Sequence, residues 1–500
     1  MGRIQNATRN IVFGIILKVY QILVPFLMRT AMIYLMGVEY LGLNSLFTSV
    51  LQVLNLAELG VGSAMVYSMY KPIAENDTET ICALLKLYKK YYFFIGLVIA
   101  IIGGFLVPVI PKLISGKLPN GLNIYILYLL NLFATVMSYW MFAYKNSLLQ
   151  AHQRSDVASK VSIYTNTIQY GFQLLTLWIF HNYYLYVLVM LATQALTNIS
   201  TAVIATRMYP EYQPKGNLSS EEVKIINSRI TDLFTAKLGA TIVNSADTIV
   251  ISAFLGLTML AMYQNYYFIM NAVISVLAIV FASCLAGVGN SMVTESIDKN
   301  YKDFRTITFS INWLVTICMS CFATVYQPFI TLWVGEKYKF NIMVVALFCI
   351  YFYLVVMQQI NGMYKDAAGV WHQDRFRPLI TGIFNLVLNL IFVNFLGIYA
   401  ILLSTIVSYV LIGIPWMIFN VFKYVFKRDW KRFMFEFLTY FLLACIITLC
   451  CYVVCSITSG LSPLMQVITN TIISICVSNM LLIIIFRKNN FFRPMLSLIK

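Results

Sequence analysis

Charged residues are scarce in this 500-residue sequence, which is 11% charged and 60% hydrophobic, with a mean hydropathy of +0.79. An ordinary water-soluble chain carries about 25% charged residues, so this composition excludes a soluble globular protein. Long polar segments are lacking as well, which leaves no room for a soluble catalytic domain. Instead, apolar runs long enough to cross a bilayer, roughly 20 residues each, recur along the whole chain.

These apolar runs predict about fourteen membrane spans. Helices are the expected form, because lipid offers no partner to free backbone groups. The closely spaced pair around Gly397 could be misread as one long segment. The spans are predicted near 11–36, 41–70, 91–111, 122–150, 161–180, 184–206, 236–256, 259–289, 306–330, 340–364, 379–396, 398–421, 436–457 and 463–486.

External cysteines and metal-ligand clusters are also lacking. The ten cysteines lie mostly within the predicted spans, which argues against a disulfide framework. Cys318 and Cys321 form a CxxC pair, but it stands in mid-helix with no second pair and no nearby histidine. We therefore expect packing residues there rather than a metal site, and we expect no cofactor.

Acidic residues are few, at 19 against 35 basic ones, and the net charge of +16 raises the question of nucleic-acid binding. The positions of the cations answer it. Of the 35, 27 fall on the side of the membrane that holds both termini, whereas the opposite side holds only Lys112, Lys117, Lys337 and Lys339. By the positive-inside rule the termini are cytoplasmic, and a nucleic-acid partner is unnecessary.

The longest internal break runs from about 207 to 234 and separates six predicted spans from eight. Ser219 and Glu222 stand at capping-box spacing within it, followed by apolar residues at helical intervals. We interpret this break as an amphipathic linker helix on the cytoplasmic surface. The predicted domains are an N-terminal six-helix lobe (1–206), the linker (207–235), a C-terminal six-helix lobe (236–421) and two extra helices with a basic tail (422–500).

The two lobes share sequence features in the same order, as expected for the internal repeats of transporters. Because spans one and seven both start in the cytoplasm, these would be parallel repeats. The paired features are Gly60–Val66 with Gly287–Val293, which share five of seven residues, Lys18 and Gly37 with Lys237 and Gly256, and His152-Gln153-Arg154 with His372-Gln373-Asp374-Arg375.

Ionisable residues are rare within the spans, and each is costly in hydrocarbon, so each should face a cavity or a partner. Lys18 and Arg29 are eleven residues apart, which places them on one face of the first helix, about 16 Å from each other. The six candidates are Lys18, Arg29, Glu58, Lys145, Lys237 and Asp247.

Lys18 and Glu58 each stand about 20 residues from the turn near Val38, on adjacent predicted helices. They should therefore lie at a similar depth in the membrane, which predicts an ion pair between them. Lys237 has no matching acid and is the freer cation, whereas Asp247 falls near the repeat position of Arg29. Structural alternatives stay open. Lys145 and Lys237 lie close enough to the cytoplasmic edge to snorkel, Arg29 and Glu58 could each belong to a buried pair, and Asp247 is undecided between structure and function.

Of these six candidates, four are cations and two are carboxylates, so a cavity that they line would carry a net positive charge. Such a cavity suits an anionic ligand such as a diphosphate rather than a cationic drug. We give the many tyrosines no functional weight, because they fit packing positions and interfacial belts.

Several stretches of the sequence together carry a family resemblance. They are Met36–Asn44, Ala57–Ala64, Tyr70–Glu75, Asp247, Leu332–Gly335 and Asp374–Pro378. In these stretches the chain resembles the bacterial Wzx-type flippases, the oligosaccharide and polysaccharide transporters of the multidrug/oligosaccharidyl-lipid/polysaccharide exporter superfamily. The resemblance covers most of the chain and is weakest after about residue 420.

The resemblance implies two six-helix lobes around a central cavity that moves undecaprenyl-diphosphate-linked sugars by alternating access across the bacterial cytoplasmic membrane. It implies diphosphate-binding roles for Arg29, Lys18 and Lys237, to which we add Lys145, and a partnership with polysaccharide polymerase and chain-length machinery. The two extra C-terminal spans are similar to those of lipid II flippases in the same superfamily. A proton or sodium ion would be the coupling ion, and Glu58 and Asp247 are the candidates to bind it.

Two alternatives compete with this interpretation. A multidrug or other lipid exporter of the same superfamily would share the fold. An integral-membrane polysaccharide polymerase or glycosyltransferase would need catalytic groups on the outer face, but the predicted external segments 112–121 and 331–341 hold one carboxylate, Glu336, and no histidine. We therefore expect a transporter and not an enzyme.

Overall fold

The computed structural model describes residues 3–58, 60–116, 118–119 and 121–497 of the chain. The side chains of 3–11, 57, 232–233, 235–237, 240, 243–244, 286 and 497 also lie outside the described part. Over the residues that are described, the chain is almost entirely helical and contains no strand. This confirms the all-α class predicted from the sequence, and it satisfies the backbone hydrogen bonds within each segment, as a lipid environment requires.

Contacts divide the chain into a first unit, Met1–Ala261, and a second unit, Met262–Lys500. Helix α10 begins at the end of the first unit and continues into the second. The helices of the first unit are α1 (Arg3–Leu35), α2 (Val38–Leu54), α3 (Val61–Glu75), α4 (Thr78–Leu106), α5 (Ile124–Trp140), α6 (Lys145–Ala151), α7 (Ser155–Leu175), α8 (Tyr183–Met208) and α9 (Ser220–Leu255).

The second unit contains nine helices in its described part, counting α10. They are α10 (Leu257–Thr294), α11 (Ile297–Val334), α12 (Ile342–Ala367), α13 (Arg377–Leu396), α14 (Ile398–Ser408), α15 (Ile414–Asn420), α16 (Lys431–Cys455), α17 (Pro463–Phe486) and α18 (Phe492–Ser497).

Helices occupy every one of the fourteen predicted spans. Among the described residues, ten helical segments are long and apolar enough to cross a membrane, or eleven if α5 and α6, which meet at a 57° bend, form one span. The three other predicted spans correspond to α2 with α3, which are 17 and 15 residues long, to α7 and to α9. The chain is therefore a multi-pass membrane protein.

Helix α9 begins with the predicted capping box. The Ser219 hydroxyl accepts a hydrogen bond from the Glu222 backbone N–H, and the Glu222 carboxylate accepts one from the Ser219 backbone N–H, so both donors at the helix start are satisfied. This part of the prediction is confirmed. The amphipathic segment is not a separate helix, however, because α9 runs without interruption from Ser220 into the predicted seventh span.

Glycines at positive φ terminate corresponding helices in the two repeats. Gly37 (φ 120°) separates α1 from α2, and Gly256 (φ 88°) separates α9 from α10. Residues with a Cβ atom avoid these backbone angles, so glycine allows the chain to turn sharply there. Gly397 (φ 55°) likewise ends α13 and confirms that the closely spaced pair is two segments.

The repeated glycine motif adopts different conformations in its two copies. In the first copy, Gly60 lies at φ 93° in a break between α2 and α3, and the described residues before it form one 3₁₀ turn, Asn55–Glu58. In the second copy, Gly287 and Gly289 lie inside the continuous helix α10. The same motif is therefore compatible with a broken and with an unbroken helix.

The two C-terminal helices pack against α11 through a shared core. Phe309, Trp313, Cys451, Leu482 and Phe486 belong to one buried cluster that joins α11, α16 and α17. Polar bonds support it: the Asn470 amide on α17 donates to the Thr324 carbonyl oxygen on α11 at 3.0 Å. Within this unit, α16 and α17 are therefore integral elements rather than loose extensions.

Candidate functional site

All six ionisable residues predicted from the spans belong to the first unit. Lys18 and Arg29 are half-buried on α1, which contains Pro25 between them and packs chiefly against α7. Arg29 lies close enough to Tyr186 on α8 for the guanidinium and the phenol to interact electrostatically. Helices α1, α7 and α8 thus hold the basic part of the candidate site.

Aromatic side chains continue from this contact toward the start of α8. The rings of Tyr183 and Tyr186 are stacked with their centroids 5.7 Å apart, and Tyr40 on α2 meets Tyr183 edge-on at 5.3 Å. Tyr183 and Tyr186 are buried. Phenols can hydrogen-bond and can also pack against cations and apolar groups, so these rings form a mixed environment beside the Arg29 guanidinium.

Glu58 lies at the break between α2 and α3, and tyrosines surround it. The Tyr92 hydroxyl donates to Glu58 Oε1 at 2.7 Å, and the Tyr139 hydroxyl lies 3.2 Å from Oε2. The Tyr88 hydroxyl donates in turn to that of Tyr92 at 2.6 Å. A Cβ atom at Gly62 would lie 3.0 Å from the Tyr88 hydroxyl, so glycine leaves room for this arrangement.

Tyr139 faces two acceptors with one proton. Its hydroxyl oxygen lies 3.2 Å from Asn55 Oδ1 and 3.2 Å from Glu58 Oε2. A phenol can donate to only one of them at a time. A proton on Glu58 would satisfy the second contact, because the carboxyl O–H could then donate to the Tyr139 oxygen.

The predicted ion pair between Lys18 and Glu58 is wrong. No described Lys or Arg side chain lies within 4.0 Å of the Glu58 carboxylate, which instead receives hydrogen bonds from α4 and α5. The depth count assumed a straight helix from Val38 to about residue 70. The chain breaks after Leu54, and the break turns Glu58 toward α4 and α5.

The interpretation of the tyrosines as packing and belt residues is wrong for this cluster. Tyr88, Tyr92 and Tyr139 are buried, and their hydroxyls bind one another or the Glu58 carboxylate. One sequence signal could have found them: Tyr88 and Tyr92 are four residues apart and so share a face of α4.

Of the two charged residues predicted on α9, the structure describes the side chain of Asp247 but not that of Lys237. Asp247 is buried, with 5% of its surface exposed. Helix α9 packs against α2, α3 and the turn that carries Glu58, so Asp247 belongs to the same helix group as Glu58. The side chain of Lys237 lies outside the described residues, and its backbone belongs to α9.

Lys145 lies at the start of α6 and is buried, with 6% of its surface exposed. Its ammonium group donates to the backbone carbonyl oxygen of Tyr212 at 3.2 Å. His152, at the end of α6, stacks on Tyr209 with the ring centroids 4.2 Å apart. Lys145 therefore contributes to the contact between α6 and the segment that precedes α9.

The repeated His-Gln segments are each followed by a buried aspartate held by cations. In the first unit, Asp156 binds Arg154 at 3.0 Å and Lys160 at 3.7 Å. In the second unit, Asp374 binds Arg377 at 2.8 Å and Lys365 at 3.4 Å. Pairing with two cations compensates the burial of each carboxylate. The His-Gln segments shared by the two lobes therefore mark equivalent ion-pair networks.

Sequence reasoning missed one charged pair of the second unit. Arg305 on α11 forms an ion pair with Glu436 on α16, and the Glu436 carboxylate also accepts a hydrogen bond from Tyr440 at 2.8 Å. Glu436 stands at the first residue of a predicted span and Arg305 directly before another, so both fall at span edges, where charges are ordinary. Among the described residues, no group of three or more His, Cys, Asp or Glu side chains could hold a metal ion.

Comparison with solved structures gives several similar folds at low sequence identity. A lipid II flippase, MurJ, in an inward closed conformation is 13% identical, with a TM-score of 0.70, and the match covers 96% of this chain and 99% of that one. An inward-facing multidrug resistance MATE family transporter of the MOP superfamily is 14% identical, with a TM-score of 0.58, and the match covers 80% of this chain and 93% of that one.

A MOP superfamily transporter from Pyrococcus furiosus Vc1 is also similar, at 13% identity and a TM-score of 0.55, over 85% of this chain and 96% of that one. No protein-family model matches this sequence, and no curated protein matches it. At such identities the likeness establishes the architecture alone. The chain is a multi-pass membrane protein with the fold of MOP superfamily transporters.

Proposed function

We propose that this protein is a flippase that moves undecaprenyl-diphosphate-linked oligosaccharide repeat units across the bacterial cytoplasmic membrane by alternating access. The units would serve the assembly of a surface polysaccharide such as capsule, O-antigen or exopolysaccharide. Both termini would lie in the cytoplasm, and the polymerase and chain-length machinery would receive the translocated units. No chemical step is required of the protein, because translocation breaks no covalent bond.

One observation carries this proposal: the fold likeness to the lipid II flippase extends over 96% of the chain. The remaining 4%, about 20 residues, is shorter than either α16 (25 residues) or α17 (24 residues), so neither C-terminal helix is wholly outside the match. The MATE family transporter matches over 80% of the chain, and the MOP superfamily transporter from Pyrococcus furiosus matches over 85%. The wider coverage therefore favours a lipid flippase over a drug exporter.

The membrane-embedded cations give the proposed site its ligand chemistry. We assign the diphosphate to Arg29, Lys18 and Lys237, with Lys145 as a fourth cation whose ammonium already contacts a backbone carbonyl. A guanidinium matches phosphate oxygens through two parallel N–H donors, which makes Arg29 the principal candidate. Its neighbour Tyr186 could add a phenolic donor to the same anion.

We assign coupling to the two membrane-embedded carboxylates, Glu58 and Asp247. The Glu58 cluster contains carboxylate, amide and phenol oxygens and no described cation within 4.0 Å, so it can accept a proton or a sodium ion without displacing a salt bridge. Asp247 lies on α9, which packs against the same turn. We also keep the predicted lobes as part of this proposal, with the N-terminal lobe ending at residue 206 and the C-terminal lobe beginning at residue 236.

Substitution of Arg29 tests the anion site. We expect Arg29→Ala to abolish polymer export while the protein remains folded in the membrane, because loss of a charge-assisted contact costs about 2–5 kcal/mol, or roughly 30-fold or more in affinity. Arg29→Lys keeps the charge without the planar fork and should retain part of the export. The measurement is surface polymer together with lipid-linked glycan in the inner leaflet. Full export by Arg29→Ala would contradict the assignment.

A deletion strain tests the substrate class. Loss of the protein should cause one polyprenyl-linked glycan to accumulate in the inner leaflet and should stop the corresponding polymer. Normal polymer assembly without any such accumulation would remove the flippase proposal.

A multidrug exporter is the second candidate, because MATE family transporters share the fold. It predicts resistance to cationic dyes on expression and no change in lipid-linked glycans. The excess of cations over carboxylates in the candidate site argues against cationic substrates.

A further inference from the structure

Helix α7 carries a polar stripe in the middle of a membrane-spanning bundle. At 100° per residue these side chains lie within about 100° of one another and extend over about 21 Å, most of the thickness of a bilayer core. The stripe consists of Ser159, Ser162, Asn166, Gln169, Tyr170 and Gln173.

From Tyr164 onward, the opposite face of α7 exposes large side chains. Tyr164, Ile168 and Leu175 lie about 150–170° from the centre of the stripe, and all three are exposed. Since large exposed side chains of this kind suit a hydrocarbon surrounding, the polar stripe must point into the first unit. A two-faced helix of this kind lies between lipid and a polar space.

Neighbouring helices border the stripe on both edges. On one edge, the Tyr20 hydroxyl of α1 lies 2.9 Å from the Thr167 hydroxyl, and the Tyr20 and Tyr170 rings are 6.4 Å apart. On the other edge, the Gln173 amide donates to the Tyr186 carbonyl oxygen of α8 at 3.2 Å. The stripe therefore forms the floor of a crevice between α1 and α8.

Several polar groups on this floor have no hydrogen-bond partner in the described part of the chain. Among them are the Asn166 side-chain amide and the Tyr170 hydroxyl, and both residues are half-buried. Gln169 donates to Gln173 at 3.3 Å, which leaves its own carbonyl oxygen available. Both side chains keep partial exposure, so water or a ligand can supply the missing hydrogen-bond partner.

The chemistry of the crevice fits sugar hydroxyls better than it fits an ion or a hydrocarbon chain. Its groups are neutral amides, hydroxyls and phenols, which both donate and accept, as pyranose hydroxyls do. The Tyr20 and Tyr170 rings offer flat apolar surfaces for the C–H faces of a sugar ring. Tyr186 lies within electrostatic range of both Tyr170 and Arg29, which joins the crevice to the proposed diphosphate site.

We propose that the α7 stripe, together with Tyr20, is the surface that binds the sugar residues of the lipid-linked substrate while Arg29 holds its diphosphate. This assignment rests on the proposed flippase function. It makes Asn166 and Tyr170 specificity-determining residues, because they hydrogen-bond the glycan and not the lipid carrier.

The experiment compares two probes in proteoliposomes that contain the full chain. One probe is undecaprenyl diphosphate bearing a single N-acetylglucosamine, and the other is undecaprenyl diphosphate without sugar. We expect the Asn166→Leu/Tyr170→Phe variant to move the sugar-bearing lipid roughly tenfold more slowly, the effect of one or two lost hydrogen bonds, and the sugar-free lipid at an unchanged rate. Tyr164→Phe, on the lipid face of the same helix, is the matched control and should change neither rate.

The outcomes separate this inference from the function on which it rests. If the wild-type chain moves neither probe, the flippase function fails and this inference fails with it. If the wild-type chain moves at least one probe but the variant slows both equally, or slows neither, the glycan-binding role alone is overturned. The single Tyr170→Phe variant removes one hydroxyl and keeps the ring, so it gives the same discrimination if the double variant unfolds.

Discussion

At the scale of single residues, the environment of Glu58, which is half-buried, differs from that of the buried aspartates Asp156 and Asp374. Asp156 and Asp374 are each held by two cations, whereas Glu58 receives only hydroxyl groups from the described side chains. A carboxylate with no cation beside it can bind a proton or a sodium ion without displacing a salt bridge. The contrast separates structural carboxylates from a candidate coupling residue.

Glu58→Gln should abolish coupling while leaving the fold intact, because glutamine keeps the shape and cannot bind a proton or a cation in the same way. We expect transport of an undecaprenyl-diphosphate probe in proteoliposomes to lose its stimulation by an imposed proton or sodium gradient. Asp247→Asn, tested separately, assigns any residual coupling to the second carboxylate.

Tyr139→Phe should weaken the same stimulation, and Tyr128→Phe is its control. Tyr128 is buried on the same helix, but its hydroxyl donates to the Gly103 carbonyl oxygen at 2.9 Å and not to Glu58. If an imposed proton or sodium gradient stimulates transport by Glu58→Gln as strongly as transport by the wild-type chain, then Glu58 has a structural role alone.

His152 should make the C-terminal end of α6 sensitive to acid. Burial lowers the pKa of its imidazole below the ordinary value of 6.5, and the hydrogen bond to the Leu148 carbonyl and the charge of Glu211 oppose this only in part. Since the folded state disfavours the protonated ring, the neutral ring stabilises the fold above the ordinary pKa, and this contribution is lost as the pH falls below it.

Hydrogen exchange measures this effect as protection factors, corrected for the intrinsic pH dependence of exchange. Between about pH 7 and pH 5, protection should fall in α6 and in the segment around Tyr209 and Tyr212, which stacks on His152. His152→Gln should remove the pH dependence, whereas His181→Gln, between α7 and α8, should preserve it. Constant protection in the wild-type chain would contradict the expectation.

At the scale of elements, close approaches between helices depend on small residues. Gly42 on α2 faces the start of α10, where a Cβ atom would overlap the backbone carbonyl group of Leu257. Backbone atoms cannot rotate away as a flexible side chain can, so the helices would have to separate. Glycine at this position is therefore a packing requirement and not a matter of backbone angle.

Gly42→Ala should lower the thermal unfolding temperature of the purified protein, because forced separation of packed elements costs about 1–3 kcal/mol. Gly104→Ala on α4 is the matched control, since a Cβ atom there would meet nothing within 4 Å, and alanine is the better helix former. Thermal unfolding in detergent, followed by loss of the monodisperse species, measures both variants. Equal unfolding temperatures would show that α2 is not tightly packed at Gly42.

At the scale of the whole molecule, the basic loops and the helix order fix an expected orientation. The 27 cations on one side of the predicted spans predict that both termini lie in the cytoplasm. Fusions test this orientation. A fluorescent protein after Lys500 should fluoresce, and alkaline phosphatase inserted near residue 116 should be active, whereas phosphatase inserted near Asn217 should be inactive. Phosphatase activity near Asn217 would reverse the orientation.

The sequence by itself determined the class of fold and most helix positions. Roughly 20-residue apolar runs must become helices in lipid whatever their neighbours, because the constraint is local to each segment. The glycine turns at Gly37, Gly256 and Gly397 and the capping box of Ser219 are local as well, since a few adjacent residues define each one. Such features can be predicted from one chain.

Only the tertiary structure decided the partners of the buried charges. The predicted ion pair between Lys18 and Glu58 was wrong because the chain breaks for a few residues around Glu58. The break turns the Glu58 side chain toward α4 and α5, where a cluster of three tyrosines takes the place of the expected lysine. Likewise, the inward direction of the α7 stripe follows from which side chains of that helix face lipid. Pairing between distant residues depends on the rotation and depth of whole helices, and hydropathy along the chain contains neither quantity.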